Sequence, residues 1–131
     1  MRVFVTKVFA RFARKEKLDD RRLCEAIARA ERGAIDADLG SHLIKQRVAR
    51  PGGGRSGGPR TVIAYRAAQR SVFLYGFAKN ERDNIDDREL ALKKLARRYL
   101  SYSDAQIATA QMQSELTEIE CDDEEDDQEQ E

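Results

Sequence analysis

The chain has 131 residues, enough to bury one modest core and too few for two. No apolar run approaches the roughly 18 residues needed to cross a bilayer, and MRVFVTKVFARFARK is too short and too broken by charge for a secretory leader. The formal net charge of zero hides a division: all 24 Lys and Arg precede Tyr99, whereas residues 115–131 carry eleven acids and no base. Residues 1–114 therefore hold 24 bases against the remaining 13 acids, a net of +11. A basic domain with an acidic tail points to a nucleic-acid partner; acidic proteins and membrane surfaces are the competing readings of such a surface. Cys24 and Cys121 belong to no CxxC or Cys/His group, which predicts a reduced, cytoplasmic thiol pair.

Arg2–Val5 reads as a short strand. Thr6 is an N-cap residue for a helix whose apolar positions Val8, Phe9, Phe12 and Ala13 recur at helical spacing. Asp19 or Asp20 caps a second helix with Leu23, Ile27 and Ala30 as its stripe, and Gly33 stops it. The two form a hairpin whose apolar edge must cover one face of a sheet. That sheet is drawn from Leu43–Ala49, Thr61–Tyr65 and Ser71–Phe77, each rich in Val, Ile, Leu, Phe or Tyr. The short link Arg66–Arg70 makes the last two an antiparallel hairpin.

Between the first two runs lies PGGGRSGGP, residues 51–59, predicted to be a mobile, exposed loop. Its G-x-G-x-x-G at Gly52, Gly54 and Gly57 is not a nucleotide cradle. A β-branched strand follows it instead of a helix, and Gly-Lys-Ser/Thr is replaced by Pro59-Arg60-Thr61. Further on, Asp86 or Asp87 caps a third helix with Leu92, Leu95, Ala96, Tyr99 and Leu100 inward and Lys93, Lys94, Arg97 and Arg98 outward. Ser103 or Asp104 begins a short fourth helix, and Leu116–Glu120 forms a last edge strand. Residues 122–131 are a run of Asp, Glu and Gln alone and should be disordered, giving a domain at 1–121 and an acidic tail at 122–131. That tail could lie over the basic face and compete with RNA, or simply be a solvated solubility segment.

The segment from Leu43 to Arg82 has Glu81 as its one acid among many cations. Alternation groups Ile44, Gln46 and Val48 toward the helix hairpin and sends Lys45 and Arg47 to the other, open side. Arg60 follows the glycine loop, and Lys79 and Arg82 follow the third run, so all can converge there. Such a cluster grips a phosphate backbone, Arg bidentately. RNA brings its own nucleophile, the 2′-OH, so cleavage calls for a base, donors to the phosphorane and an acid for the 5′ oxygen, with no metal or cofactor. A lysine among cations loses its proton more readily, which makes Lys45 the candidate base, with Arg47 and Arg60 as clamps and Lys79 or Arg82 as further donors. Arg50, Arg55, Arg66, Tyr75 and Asn80 are RNA-binding candidates, Tyr75 by stacking. The simpler reading stands beside this: a basic strand face is more often a binding than a catalytic surface, and Tyr65, Phe73, Tyr75 and Phe77 fit a sheet core. His42, the single histidine, reads as a surface residue, and Asp83, Asp86 and Asp87 as helix-capping residues.

In Leu43–Arg50 (LIKQRVAR), Ser56–Tyr65 (SGGPRTVIAY) and Tyr75–Ile85 (YGFAKNERDNI) the chain resembles the RelE/ParE superfamily of type II toxins, closest to the RelE-like branch related to HigB. The resemblance implies an α+β fold: a small, mostly antiparallel twisted sheet, the helix hairpin on one face, and C-terminal helices. It also implies a ribosome-dependent mRNA endonuclease and a cognate helix-turn-helix antitoxin, with operator DNA bound only through the toxin–antitoxin complex. The family's basic positions fall on Lys45, Arg47, Arg60, Lys79 and Arg82. Asn80 stands where RelE has a catalytic arginine and Asp86 where it has a tyrosine, which leaves Lys79, Tyr75 and Arg82 as alternatives for the leaving-group acid. Gyrase inhibition, or a decayed toxin that only binds its antitoxin or DNA, is the alternative that fold alone leaves open.

Overall fold

The computed structural model describes residues 1–79, 81 and 85–121, with Ile85 and Asp86 described by backbone only. The acidic tail 122–131 lies outside these residues, as do Asn80, Arg82 and Asp83. Strand β1 (Arg2–Thr6) passes directly into helix α1 (Lys7–Glu16). The Thr6 hydroxyl accepts the Phe9 N–H at 3.1 Å, satisfying one of the amides that a helix start leaves unpaired. The Asp19 carboxylate does the same for Arg22 at the start of α2 (Asp20–Glu31), and Gly33, at φ +90°, follows its end. Phe9 and Ala13 of α1 and Leu23, Ala26, Ile27 and Ala30 of α2 are buried, as the spacing predicts. Val8 departs from expectation and is exposed: neighbouring helical residues point about 100° apart, and Phe9 takes the inward direction.

The chain then forms β2 (Ala37–Gly40), β3 (Leu43–Arg47), β4 (Arg60–Arg66) and β5 (Arg70–Phe77). Helix α3 (Ile85–Ser101), helix α4 (Asp104–Met112) and β6 (Leu116–Ile119) complete it. Ser103 starts α4 with a reciprocal capping box to Gln106. The strand order is β2-β3-β4-β5-β1-β6, with β1–β5 the parallel pair and the others antiparallel. This is the expected α+β architecture with one added strand: β2, only four residues and half polar, gave no apolar signal.

Two cores flank the sheet. The hairpin side gathers Phe9, Leu23, Ile27, Ile44, Val48, Ile63 and Phe73; the other gathers Leu43, Val62, Leu74, Phe77, Leu92, Ala96, Tyr99 and Ile107. The second face is therefore not open along its length: α3 lies over β4 and β5 because its apolar stripe needs a partner as much as the hairpin does. A bulge in β5 opposite Val62 and Ile63 divides the aromatics. Phe73 enters the hairpin core, whereas Tyr75 and Phe77 join the α3 side. Gly76 faces α1, where an added Cβ would run into the Phe12 ring.

The cysteines correct the sequence reading. Cys24 of α2 and Cys121 are joined in a disulfide across 97 residues, their Cα atoms 5.3 Å apart. Sequence separation says nothing of this approach; it arises because β6 pairs with β1, the strand that leads into the helix hairpin.

Candidate nucleic-acid interface

Strand register assembles the cationic residues. Arg47 pairs with Arg60, and Arg60 with Phe77; one step along, Lys45 pairs with Val62, and Val62 with Tyr75. These two rows share a face and lie at the same end of the sheet. There Lys45, Arg47, Arg60 and Tyr75 keep partial exposure beyond the cover of α3. The Lys45 Nζ lies 6.0 Å from the centre of the Phe77 ring. Tyr75 and Phe77 sit 6.2 Å apart, and Arg88 of α3 lays its guanidinium 5.0 Å above the Tyr75 ring. Arg88 was not a sequence candidate. Reading it would have required knowing where α3 docks.

Each arginine is aimed by a separate device. Arg60 donates to the carbonyl oxygens of Gly58 at 2.6 Å and Ser56 at 3.4 Å, so the glycine loop orients its head group. The loop is exposed through Gly57, as predicted, but Gly58 and Pro59 are buried. A Cβ at Gly58 would collide with the Val48 carbonyl, so only glycine lets the chain rejoin the sheet there. Pro59 accepts the Val48 N–H at 3.0 Å, which closes the base of the loop.

Arg47 is held by Asp36. The Asp36 carboxylate accepts the Arg47 backbone N–H at 2.7 Å and its guanidinium at 3.2 Å, and meets Arg29 at 3.4 Å. Burial would raise this carboxyl, but the Arg47 bonds and the Arg29 charge outweigh it and hold it below the ordinary aspartate range. Arg29, itself buried, also donates to the Arg47 carbonyl and to Glu25. Beside it, the fully buried Gln46 amide donates to Ala26 O at 2.9 Å and Ala34 O at 3.3 Å and accepts the Asp36 N–H at 2.7 Å. This network bolts β3 to α2 with its polar groups satisfied. The one sequence signal for it was a glutamine sharing strand parity with Ile44 and Val48.

The other candidates are dispersed. Lys79 is exposed two residues beyond β5, and Arg50 is exposed where the loop begins. Arg55 turns toward α2 and pairs with Glu25 at 3.3 Å. Arg66 lies at the far end of β4, about 20 Å from Arg60 at strand rise, and donates to Leu100 O. Next to Arg47, a cleft of about 740 Å³ opens between α2 and the glycine loop; Arg21, Arg22, Glu25, Arg47, Arg55 and Asp19 are among its lining residues.

An α+β sheet that collects lysine and arginine at one end, framed by two aromatic rings and a glycine loop, defines a protein suited to holding a polyanion. The comparison with known families is more specific. Residues 1–119 match the family described as the RelE toxin of the RelE/RelB toxin–antitoxin system. No curated protein matches the chain. The chain belongs to the RelE toxin family, within the RelE/ParE superfamily, and that membership implies an antitoxin partner.

Proposed function

We propose that this toxin is a ribosome-dependent mRNA endonuclease of the HigB-related branch, cutting RNA through its own 2′-OH in the cytoplasm. Residues 1–121 act as the toxin domain, and a helix-turn-helix antitoxin neutralises it, bringing the pair to operator DNA. The observation that carries this reading is the cross-strand pairing of Arg47 with Arg60, one step from Lys45 on the same sheet face.

The roles follow from chemistry. Lys45, one step from the Arg47–Arg60 pair on the same sheet face, serves as the base for the 2′-OH. Arg60 enters already oriented by the loop carbonyls, so its charge stabilises the phosphorane with little reorganisation. Arg47 gives one guanidinium bond to Asp36 and keeps further N–H donors for phosphate. Lys79 and Arg82 supply additional donors, and the proton for the departing 5′ oxygen comes from Lys79, Tyr75 or Arg82. The flanking nucleotides meet Arg50 and Asn80, and Tyr75 offers a ring already partnered with Arg88. Arg55 and Arg66, pointed elsewhere, drop out of the contact set this reading needs.

The test is cleavage of a defined mRNA on purified ribosomes by the wild-type chain and by Lys45→Ala and Arg60→Ala variants whose folding is verified by circular dichroism. Codon-phased cuts lost in both variants support the proposal. Intact transcripts with the folded wild-type chain, or growth arrest with DNA damage and unbroken mRNA, would overturn it in favour of a binding module.

A further inference from the structure

We propose that the arginine-lined cleft between α2 and the glycine loop is the docking site of the chain's own acidic C-terminal segment, residues 122–131. The first observation is where that segment starts. The disulfide to Cys24 fixes Cys121 on α2, and the Glu120 carbonyl lies 3.6 Å from the Cys24 sulfur. Cys121, to which the segment is attached, therefore lies on the helix-hairpin side of the molecule, away from the sheet face that bears Lys45. Arg21, on the cleft wall, is three residues before Cys24 on the same helix. That spacing puts the two on one helical face, with Cβ atoms about 5–6 Å apart.

The second observation is complementarity. Four guanidiniums line the cleft, from Arg21, Arg22, Arg47 and Arg55, against two carboxylates, Asp19 and Glu25. Arg22 is ion-paired with Asp19, Arg55 with Glu25 and Arg47 with Asp36; Arg21 is exposed and in no ion pair among the described residues. The segment to be received, DDEEDDQEQE, has eight acids and no base. Ten residues span at most about 33–36 Å when extended, ample for a cleft that opens one helical turn from its root. Each exposed pair alone contributes little, but tethering raises the local concentration of the segment to the millimolar range.

Arg47 belongs both to this cleft and to the cation row with Arg60. A seated acidic segment therefore lowers the affinity of the neighbouring sheet face for polyanions. That last consequence rests on the nuclease reading; the docking itself does not.

The experiment compares the full chain with a full-length variant whose acids in 122–131 are replaced by their amides, using backbone amide NMR shifts at low and high salt. At about 25 mM salt, neutralising the segment should move resonances of Arg21, Arg22, Glu25, Arg47 and Arg55, and the differences should vanish at about 500 mM. A parallel titration uses a fluorescent ten-nucleotide single-stranded RNA. Neutralisation should tighten its binding about tenfold at low salt and not at high salt. In an Arg21→Ala, Arg55→Ala background that gain should shrink to within about twofold, since the cleft has lost its two outer cations. Shift differences confined to residues 118–121, or centred on Lys45 and Arg60, overturn the proposal, as does an undiminished gain in the double variant. RNA, rather than the segment, moving the cleft resonances overturns it too and makes the cleft part of the RNA track. Absence of ribosomal cleavage leaves the NMR outcome untouched, so the two readings fail separately.

Discussion

Two rows of basic residues cross the sheet, one near each end. At one end Arg66, Arg70 and Arg2 sit side by side across β4, β5 and β1; at the other Arg47 faces Arg60 across β3 and β4. Like charges directly opposite on neighbouring strands repel, so each row needs compensation. The first finds it in fixed structure. Arg70 donates to the Tyr99 and Tyr102 carbonyls at 2.8 and 2.9 Å, Arg66 to Leu100 O, and Arg2 to Glu118 at 3.0 Å. Three of these acceptors are carbonyls at or just past the end of α3, where the helix dipole favours a cation. At the second row, among the described residues, only Asp36 opposes the guanidiniums directly, and the loop carbonyls that orient Arg60 carry no net charge. The same residue type at equivalent register is tied into carbonyls and a carboxylate at one end and stays partly exposed at the other.

The sharpest way to break this comparison is to exchange readouts. Arg60→Ala should lower ribosomal mRNA cleavage by about 100- to 1,000-fold while costing about 1 kcal/mol of stability in urea, because what it loses in the free protein is hydrogen bonds to its own loop. Arg70→Ala should do the reverse. Its removal strands the Tyr102 carbonyl and leaves Tyr99 O with only the 3.4 Å bond from the Tyr102 N–H, a loss of about 2 kcal/mol in denaturant midpoint analysis, with cleavage per folded molecule changed less than about threefold.

Asp36→Asn tests the counterion at the Arg47–Arg60 end. It should cost about 1–2 kcal/mol at pH 7, since the amide keeps the shape and loses the charge that Arg47 and Arg29 share. The folded-state carboxyl is held low, so its contribution is complete above the ordinary aspartate pKa of about 3.9 and drains as pH falls through the lower folded value. Urea midpoints measured from pH 6 to pH 2.5 should show that acid limb in the wild type and a shallower one in Asp36→Asn. The smallest effect belongs to Arg66→Ala, whose bond to Leu100 O is long at 3.5 Å: less than about 1 kcal/mol, and no change in RNA affinity or in its salt slope.

Period and punctuation revealed most of the fold. Thr6, Asp19, Gly33 and Ser103 mark helix ends by local chemistry, and β3, β4 and β5 stand out as apolar runs between turns. What stayed hidden depends on long-range packing. The β5 bulge changes which aromatics accompany Phe73, although Gly76 inside an apolar run was a hint of it. The Cys24–Cys121 bond follows from the position of β6, and Arg88 reaches Tyr75 only once α3 is docked. For the candidate site, strand parity was enough to put Lys45 and Arg47 on one face, and the end of the glycine loop brought Arg60 toward them; the register that pairs Arg60 with Arg47 came from the fold. It could not tell that Asp36, eleven residues before Arg47, would hold that arginine, or that Arg55 would turn to Glu25.

The position of β1 has a consequence for how the molecule is made. It precedes every other strand of the sheet, yet its two neighbours begin at Arg70 and Leu116. Val3, Phe4 and Val5, buried in the finished sheet, have one flank to pair with only once β5 has been made and the second only once β6 follows. A nascent chain thus carries an unpaired apolar strand until β5 emerges, and that strand must be kept from wrong partners. The sheet closes only when β6 arrives, so a fragment cut short before β6 leaves β1 as a bare edge.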